Sequence, residues 1–439
     1  MYREIMSELE RWKEKTRRKP LLLTGVRQCG KTYIINEFGK VSFEKVVRLN
    51  FEESEKAGAI FEYDFDVDRI ISEIELHTGD KIVPGRTLLF LDEIQNCPRA
   101  ITSLKYFCEN KKNLHVICAG SLLGVAIKRD NISFPVGKVN RMQLYPMSFK
   151  EFAIACGRND MIEVMKKWPI DREVPELYSA PMKKLLKEYY IVGGMPEAVQ
   201  TWVDTHDFDE VTTVQKEILN DYADDFSKYA PIKDVPKIRW IWDSVPVQLA
   251  KDNNKFVFSH VKAGKRSAEL EDALQWLRDA GLISQLFLVE KPELPLSGFA
   301  NQTYFKVYVS DVGLLRTRSG LSPETILHET DMYMRYKGAI AENYVLNELL
   351  SIGKEPYFWR SGNTAEVDFI YEDNGRLIPV EVKAADNTQA KSYKQFCKKY
   401  SPESGVKLSE KNIAENMCEQ TRTISLPLYM NWNIEEYCP

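Results

Sequence analysis

The feature that most constrains the fold of this chain is a glycine-rich segment, residues 25–32, which fits the pattern G-x-x-x-x-G-K-[ST]. The apolar residues 21–24 before it predict a buried strand, and residues 33–38 after it predict a helix. Strand, loop and helix in this order are the structural context of a phosphate-binding loop. Glycines allow backbone N–H groups to surround phosphate oxygens, and the helix N-terminus adds partial positive charge. We therefore predict a nucleoside triphosphate site.

Every residue of this loop is a candidate for contact with the nucleotide. The set consists of Gly25, Val26, Arg27, Gln28, Cys29, Gly30, Lys31 and Thr32. Lys31 can reach the terminal phosphates, and the Thr32 hydroxyl can bind Mg²⁺. ATP and Mg²⁺ are thus the predicted cofactors. Cys29 is either a small residue tolerated in the loop or a thiol acidified by the helix dipole and Lys31, which would make ATP hydrolysis sensitive to alkylation.

Composition predicts a globular protein with several domains. A length of 439 residues, with 44% hydrophobic and 28% charged residues, gives room for roughly two to four domains. The formal net charge of −4 offers no global attraction for nucleic acid or membrane, so any basic surface would be local. Eight cysteines without a C-x-x-C pair and five histidines favour reduced thiols in the cytoplasm over a zinc site. No apolar run approaches the roughly 18–20 residues of a membrane span, and no signal-peptide core is visible.

An acidic pair supplies the second half of the predicted nucleotide site. Residues 88–91 form an uninterrupted apolar run, as expected of a central parallel strand, and Asp92 and Glu93 follow at its carboxyl end. We predict that Asp92 holds Mg²⁺ and that Glu93 orients or deprotonates the attacking water. Ser121 follows another predicted strand, residues 114–120, and either contacts the γ-phosphate or caps a helix.

Three segments resemble the prokaryotic AAA-type P-loop ATPases that carry an uncharacterised C-terminal domain. They are residues 12–32, the Leu-Asp-Glu-Ile-Gln stretch at 91–95 and the Leu-Tyr-Pro segment at 144–152. The resemblance extends over nearly the whole chain and implies an ATPase core at 1–152 and a helical lid at 153–235. In this family a Gly-Arg pair usually precedes the Leu-Tyr-Pro segment. Here Gly137-Lys138 stands in that place, so Arg141 is either an arginine finger or a surface residue, and the oligomeric state stays open.

Residues 236–312 have the order of a winged helix. Two predicted helices flank a basic turn at 262–266, and two β-rich runs follow. Winged helices often place the last helix in the DNA major groove. The exposed positions of this helix are mostly acidic, however, and a phosphate backbone would repel them. Contact with DNA and packing against protein are therefore both open for this segment.

Residues 313–439 bring four charged side chains into a nuclease-like pattern. Glu342 lies on a predicted helix, Asp368 on a predicted strand, and Glu381 and Lys383 lie two apart on the next strand, so they share a face. Together they resemble the PD-(D/E)xK nuclease core. Asp368 and Glu381 would hold Mg²⁺ against a phosphate, and Lys383 would position the water. Nucleic-acid binding without cleavage is the alternative for this fold.

The sequence as a whole predicts an α/β protein: a parallel P-loop sheet with a helical lid, a winged-helix-like middle and a restriction-endonuclease-like C-terminal domain. The predicted function is Mg²⁺-dependent ATP hydrolysis coupled to DNA binding or processing. The alternative is a nucleotide-dependent switch or scaffold for a protein partner, with a non-catalytic nuclease-like domain. No membrane partner is expected.

Overall fold

The computed structural model describes residues 1–129, 133–251, 255–362, 365–384 and 391–438. The chain divides into two compact units. The first contains Met1–Tyr145 and Asp279–Leu282, and the second contains Pro146–Arg278 and Ile283–Pro439. Within these described ranges, no helix is long and apolar enough to cross a membrane.

The first unit is a five-stranded parallel sheet covered by helices. Its elements are α1 (Ile5–Glu14), β1 (Leu21–Thr24), α2 (Lys31–Ser42), β2 (Lys45–Asn50), α3 (Glu55–Ala59), α4 (Val67–Thr78), β3 (Thr87–Asp92), a 3₁₀ turn (Ile94–Asn96), α5 (Pro98–Asn110), β4 (His115–Ala119), α6 (Leu123–Arg129) and β5 (Asn140–Gln143). The strand order is β2-β3-β4-β1-β5. All residues of β3 are buried, as its apolar run predicts. Because the strands are parallel, the carboxyl ends of β1 and β3 open at one edge of the sheet.

The second unit combines a helical half with a mixed sheet. Its helices are α7 (Phe149–Ala155), α8 (Asn159–Lys166), α9 (Glu176–Val192), α10 (Pro196–Thr205), α11 (Phe208–Tyr229), α12 (Val235–Leu249), α13 (Phe258–Val261), α14 (Ser267–Asp279), α15 (Val312–Arg318), α16 (Pro323–Leu327), α17 (Asp331–Ser351), α18 (Lys391–Tyr400) and α19 (Ile434–Tyr437). Its strands are β6 (Ile283–Val289), β7 (Ala300–Val309), β8 (Tyr357–Ser361), β9 (Ala365–Asp373), β10 (Arg376–Lys383), β11 (Ser404–Ser409), β12 (Ala414–Cys418) and β13 (Thr421–Pro427). Two 3₁₀ segments, Leu296–Phe299 and Leu428–Asn433, complete it.

The eight strands of this unit form one sheet in the order β12-β13-β11-β10-β9-β8-β6-β7. The β6–β7 hairpin therefore belongs to the same sheet as the nuclease-like strands, since β6 pairs in parallel with β8 through Leu288 and Phe358. The predicted boundary between 312 and 313 falls between strands of this sheet. The four-part division of the chain stays a prediction, as do the winged-helix and nuclease-like assignments.

A paired-glycine turn joins α9 to α10, as the sequence predicts. Gly193 has a φ of 72°, and a Cβ on Gly194 would lie 2.1 Å from the Met147 carbonyl oxygen, so neither position accepts a side chain. The Asp311 carboxylate accepts hydrogen bonds from the backbone N–H groups of Gly194 (2.6 Å) and Leu314 (2.8 Å). Burial raises the pKa of Asp311 to about 6. The turn is thus fixed by close backbone approach and by one buried carboxylate.

The predicted hairpin turn between β9 and β10 is also confirmed. Asn374 and Gly375 have φ values of 49° and 73°. A two-residue turn with positive φ at both positions matches the twist of antiparallel strands. This turn aligns β9 with β10, and the alignment determines which side chains of the two strands can meet.

Candidate functional site

The phosphate-binding loop lies between β1 and α2, as predicted. Gly25 has a φ of 153°, and a Cβ there would lie 2.3 Å from the Leu144 carbonyl oxygen. Gly30 has a φ of 94° and immediately precedes α2. Both glycines are therefore required by the backbone, one by close approach and one by its left-handed conformation. The chain enters the helix with its first N–H groups free of intrahelical partners, which is the arrangement that binds anions.

Lys31 lies over the loop backbone. Its Nζ donates hydrogen bonds to the carbonyl oxygens of Gly25 (2.9 Å) and Val26 (2.8 Å). Arg3, which the sequence did not single out, supports the loop from outside by donating to the Cys29 carbonyl oxygen at 3.0 Å. The structure does not support the alkylation hypothesis for Cys29. That side chain is fully buried, and its thiol donates to the Leu144 carbonyl oxygen, so no reagent has direct access to it.

Asp92 reaches the loop through Thr32. The Thr32 hydroxyl donates to Asp92 Oδ2 at 3.2 Å, and the Asp92 side chain is buried. A hydroxyl beside a carboxylate is a donor set of oxygen atoms, which suits Mg²⁺. Arg48 on β2 also contacts Asp92, with its Nη2 2.8 Å from Oδ2. Sequence reasoning missed Arg48; its only signal was a charged residue inside a predicted apolar strand.

Glu93 follows Asp92 in a left-handed backbone conformation, with a φ of 50°. The Gln95 amide donates to Glu93 Oε2 at 2.5 Å. Burial raises the pKa of Glu93, and the neighbouring Asp92 charge adds to the increase. A higher proton affinity suits a group that accepts a proton from water. Ser121 is buried directly after β4, and its two predicted roles stay open.

The four nuclease-like residues meet at a second place, in the other unit. Lys383 Nζ lies 2.7 Å from Glu381 Oε1, in agreement with their shared strand face. The Asp368 carboxylate accepts a hydrogen bond of 2.7 Å from the Val382 backbone N–H. Glu342 acts electrostatically on Asp368, Glu381 and Lys383 from α17. We call this set of Glu342, Asp368, Glu381 and Lys383 the acid cluster.

Strand β7 supplies two side chains that contact the acid cluster and that the sequence analysis did not find. Lys306 Nζ lies 2.6 Å from Glu366 Oε1 and 3.5 Å from Glu342 Oε2. The Tyr308 hydroxyl donates to Glu342 Oε2 at 2.8 Å. Lys306 is only 1% exposed, which is rare for lysine. Its position two residues before Tyr308 puts both on one strand face, but no local pattern distinguishes a buried lysine from a surface one.

Burial and mutual repulsion dominate the electrostatics of the acid cluster. Burial raises the pKa of Asp368 well above its usual value, and the charges of Glu381 and Glu342 raise it further. Burial also raises the pKa of Glu381. For Lys306, burial opposes the charged form, but the carboxylates of Glu342 and Glu366 raise its pKa well above normal. Two lysines therefore compensate part of a concentrated negative charge.

The donor set of the acid cluster fits a cation with few protein ligands. Among the described residues, no three His, Cys, Asp or Glu side chains are arranged to hold a metal ion. Glu381 Oε2 is buried and has no hydrogen-bond partner within the same described ranges. Mg²⁺ usually binds one or two carboxylates and takes its other ligands from water and phosphate. Asp368 and Glu381 together fit that requirement.

Comparison with protein families divides the chain into three matched segments. Residues 17–153 match a family described as AAA domain. Residues 183–325 and 337–429 match two families described as Domain of unknown function, DUF8612 and DUF4143 respectively. A comparison with curated proteins found no match.

Similar solved structures include three archaeal proteins. The Walker-type ATPase PABY2304 of Pyrococcus abyssi has 15% identity and a TM-score of 0.44, over 72% of this chain and 94% of that chain. The Aeropyrum pernix ORC2 protein has 11% identity and a TM-score of 0.39, over 75% and 95%. Cdc6p from Pyrobaculum aerophilum has 14% identity and a TM-score of 0.24, over 73% and 91%. Since these TM-scores are below 0.5, we draw no functional conclusion from them.

The AAA match covers the loop, Asp92 at the end of β3 and Glu93 directly after it. The family match and the loop geometry indicate the same class of site. Together they support an AAA-type P-loop ATPase in residues 17–153, with ATP binding and hydrolysis in general as its activity.

Proposed function

We propose that this chain is a Mg²⁺-dependent ATPase that couples hydrolysis to DNA binding or processing through its nuclease-like C-terminal domain. The observation that carries the ATPase part is the convergence of the loop and the end of β3, where Thr32 and Asp92 are joined at 3.2 Å. The DNA-directed part rests on the acid cluster. The predicted domains at 1–152, 153–235, 236–312 and 313–439 are retained in this proposal.

In the ATPase site, each side chain has a distinct task. Lys31 exchanges its two backbone carbonyl partners for the terminal phosphates, since an ammonium group prefers a charged oxygen to a neutral one. Thr32 and Asp92 would hold Mg²⁺, which when bound neutralises phosphate charge. Glu93 orients the attacking water and accepts its proton, as its raised pKa allows. Ser121, which follows β4, would contact the γ-phosphate, with a helix cap as its alternative role.

In the acid cluster, Asp368 and Glu381 would hold Mg²⁺, which when bound polarises the scissile phosphate. Lys383, in contact with Glu381 at 2.7 Å, positions the water. Glu342 is held by Tyr308 and Lys306 at the margin of the cluster. The repulsion that raises the pKa of Asp368 would be relieved by a bound cation, which is the electrostatic condition of a metal-dependent site.

A paired assay tests both parts of this proposal. ATP turnover is measured for the wild type and Lys31→Ala, and cleavage of plasmid and single-stranded DNA with Mg²⁺ or Mn²⁺ is measured for the wild type and Asp368→Ala. We expect Lys31→Ala to abolish turnover and Asp368→Ala to abolish cleavage. Turnover stimulated by DNA without cleavage would limit the C-terminal part to binding. The absence of any response to DNA would overturn the DNA-directed part and leave the ATPase intact.

One observation favours the alternative of a switch or scaffold for a protein partner. The solvent-exposed side of α14, the last helix before the β6–β7 hairpin, presents Glu269, Glu271 and Asp272. These carboxylates would repel a DNA backbone and are suited to contact with a basic protein surface. Crosslinking in ATP and in ADP, with a charge-reversed α14 as control, distinguishes this alternative. A nucleotide-dependent partner that is lost with the reversed charges supports the scaffold.

A further inference from the structure

A small cavity in the second unit lies directly beside the acid cluster. It encloses about 150 Å³, and its lining includes Ala341 and Ala384. Ala341 immediately precedes Glu342, and Ala384 immediately follows Lys383. Ser409, which also lines the cavity, pairs in register with Lys383 across β10 and β11. A molecule in this cavity would therefore contact the chain neighbours of Glu342 and Lys383.

Two buried tyrosines line the cavity together with apolar and charged side chains. Tyr190 on α9 and Tyr429 both line it, and they are 4% and 2% exposed. Neither hydroxyl has a hydrogen-bond partner among the residues that the structure describes. A buried hydroxyl without a partner is unfavourable, and most native proteins avoid it. A polar ligand in the cavity would be able to hydrogen-bond to both hydroxyls.

Charged side chains at the cavity favour one negative group on that ligand. Lys183, Lys187 and Lys337 outnumber Glu329 and Glu410 among the lining residues. Lys337 lies 2.6 Å from Glu410, and Lys187 lies 2.7 Å from Glu329. Lys183 is exposed and forms no ion pair within the described ranges, so its ammonium is available to an anion. The lining thus carries one excess positive charge.

The size of the cavity limits the part of the ligand that lies inside it to a single ring. An apolar protein cavity of ~150 Å³ accepts one benzene ring. Tyrosine rings supply stacking surfaces, and their hydroxyls can donate to or accept from the edge of a heterocycle. A pyrimidine base is such a ring, and the phosphate of its nucleotide, joined to the base through the sugar, supplies an anionic group outside the cavity. We propose that this cavity binds one unpaired pyrimidine nucleotide, with its base beside Tyr190 and Tyr429 and its phosphate at Lys183.

This inference rests on the proposed nucleic-acid function of the neighbouring acid cluster, because a strand with one base in the cavity would pass its backbone along that cluster. The same chemistry could come from a free mononucleotide. Enzymes that act on a strand often extrude one nucleotide into such a pocket. The cavity would then select single-stranded or locally unpaired substrate.

The test measures binding by the full chain with the phosphate loop saturated by Mg²⁺ and ADP. Fluorescence anisotropy follows a labelled short oligothymidylate, and thymidine and guanosine monophosphates serve as competitors. The variants are Tyr190→Phe, Tyr429→Phe and the filling change Ala384→Trp. Tyr371→Phe is the matched control, because Tyr371 is equally buried on β9 but outside the cavity. Asp368→Ala tests the acid cluster separately.

We expect each hydroxyl deletion to weaken oligothymidylate binding by about tenfold, Ala384→Trp to abolish it, and the control to leave it unchanged. Thymidine monophosphate should compete better than the guanosine analogue. If thymidine monophosphate binds but oligothymidylate does not, the result would support nucleotide binding in the cavity and overturn the proposed nucleic-acid function. Equal binding by the wild type and both hydroxyl variants, or no binding of either probe, would overturn the cavity proposal. Loss of cleavage in Asp368→Ala with binding retained would separate the two sites.

Discussion

The phosphate-binding loop and the acid cluster are both suited to a charged ligand, but they are built from different parts of the chain and from different chemical groups. The loop is contiguous in sequence, and backbone geometry at Gly25 and Gly30 shapes it. The acid cluster draws on a helix and two strands, and β7 adds supporting groups from a more distant part of the sequence. The loop presents mainly N–H groups, whereas the cluster presents side-chain charges. The carboxylates of the cluster therefore repel one another until a cation or a lysine compensates their charge.

This contrast predicts where substitutions act. In the nucleotide site that the loop forms with the end of β3, few side chains carry chemistry, so a substitution such as Glu93→Gln should affect turnover more than folding. In the acid cluster, the same side chains determine both charge balance and stability. Three substitutions examine this difference, in order of decreasing effect.

Glu93→Gln should lower ATP turnover by about 10²–10⁴-fold, because it removes the proton acceptor while keeping the size of the side chain. ATP binding should be nearly unchanged. Steady-state turnover and nucleotide affinity, measured side by side, check this. Glu8→Gln, at an exposed position on α1, is the control and should match the wild type. Full turnover in Glu93→Gln would show that another residue activates the water.

Lys306→Met should destabilise the second unit by about 3–5 kcal/mol, because it leaves Glu342 and Glu366 without their buried cation. Urea unfolding followed by tryptophan fluorescence measures this loss of unfolding free energy, and Trp359 on β8 is a probe within the same sheet.

Adding Glu366→Gln to Lys306→Met should restore part of the lost stability, since it removes one of the two carboxylate charges that lose Lys306. If the single and double variants unfold at the same urea concentration, Lys306 stabilises the fold by packing, for example against the Phe358 ring 5.1 Å away, and not by charge.

Asp368→Asn should stabilise the chain by about 1–2 kcal/mol in metal-free buffer at neutral pH. Burial raises the pKa of Asp368, so the folded state binds its proton more tightly than the unfolded state does. The free energy of unfolding of the wild type therefore falls as pH rises from about 4, the pKa of this carboxyl in the unfolded state, towards its pKa in the folded state. The amide of the variant does not titrate, so its stability does not fall in this way.

Urea unfolding in chelator across this pH range checks the sign, because the two proteins should converge near pH 4, about the unfolded pKa of the carboxyl. Mg²⁺ should then stabilise the wild type more than Asp368→Asn. A variant less stable than the wild type at every pH would show that the carboxylate stabilises the fold, as it does by accepting from the Val382 N–H.

The sequence predicted what is determined locally. The strand, loop and helix around residues 25–32, the apolar strand before Asp92, the Gly193-Gly194 turn and the Asn374-Gly375 hairpin are all present, because each depends on a few adjacent residues. The spacing of Glu381 and Lys383 was sufficient to place both on one face, because side chains alternate along a strand.

The sequence did not reveal what depends on distant pairing. Lys306 lies 36 residues before Glu342, and it meets the acid cluster only because β6 pairs with β8. Arg48 reaches Asp92 only because β2 and β3 are neighbours in the sheet. The burial of Cys29 similarly depends on Leu144. A single sequence carries no pattern that records such partners.

The pairing of β6 with β8 has a consequence for how this part of the chain can be inherited. The two matched families, at 183–325 and 337–429, meet inside one hydrogen-bonded sheet. Cutting between them would leave a bare strand edge on each piece, and bare edges pair with other chains. Recombination that moved one segment without the other would yield two aggregation-prone fragments. We therefore expect the two segments to be inherited together.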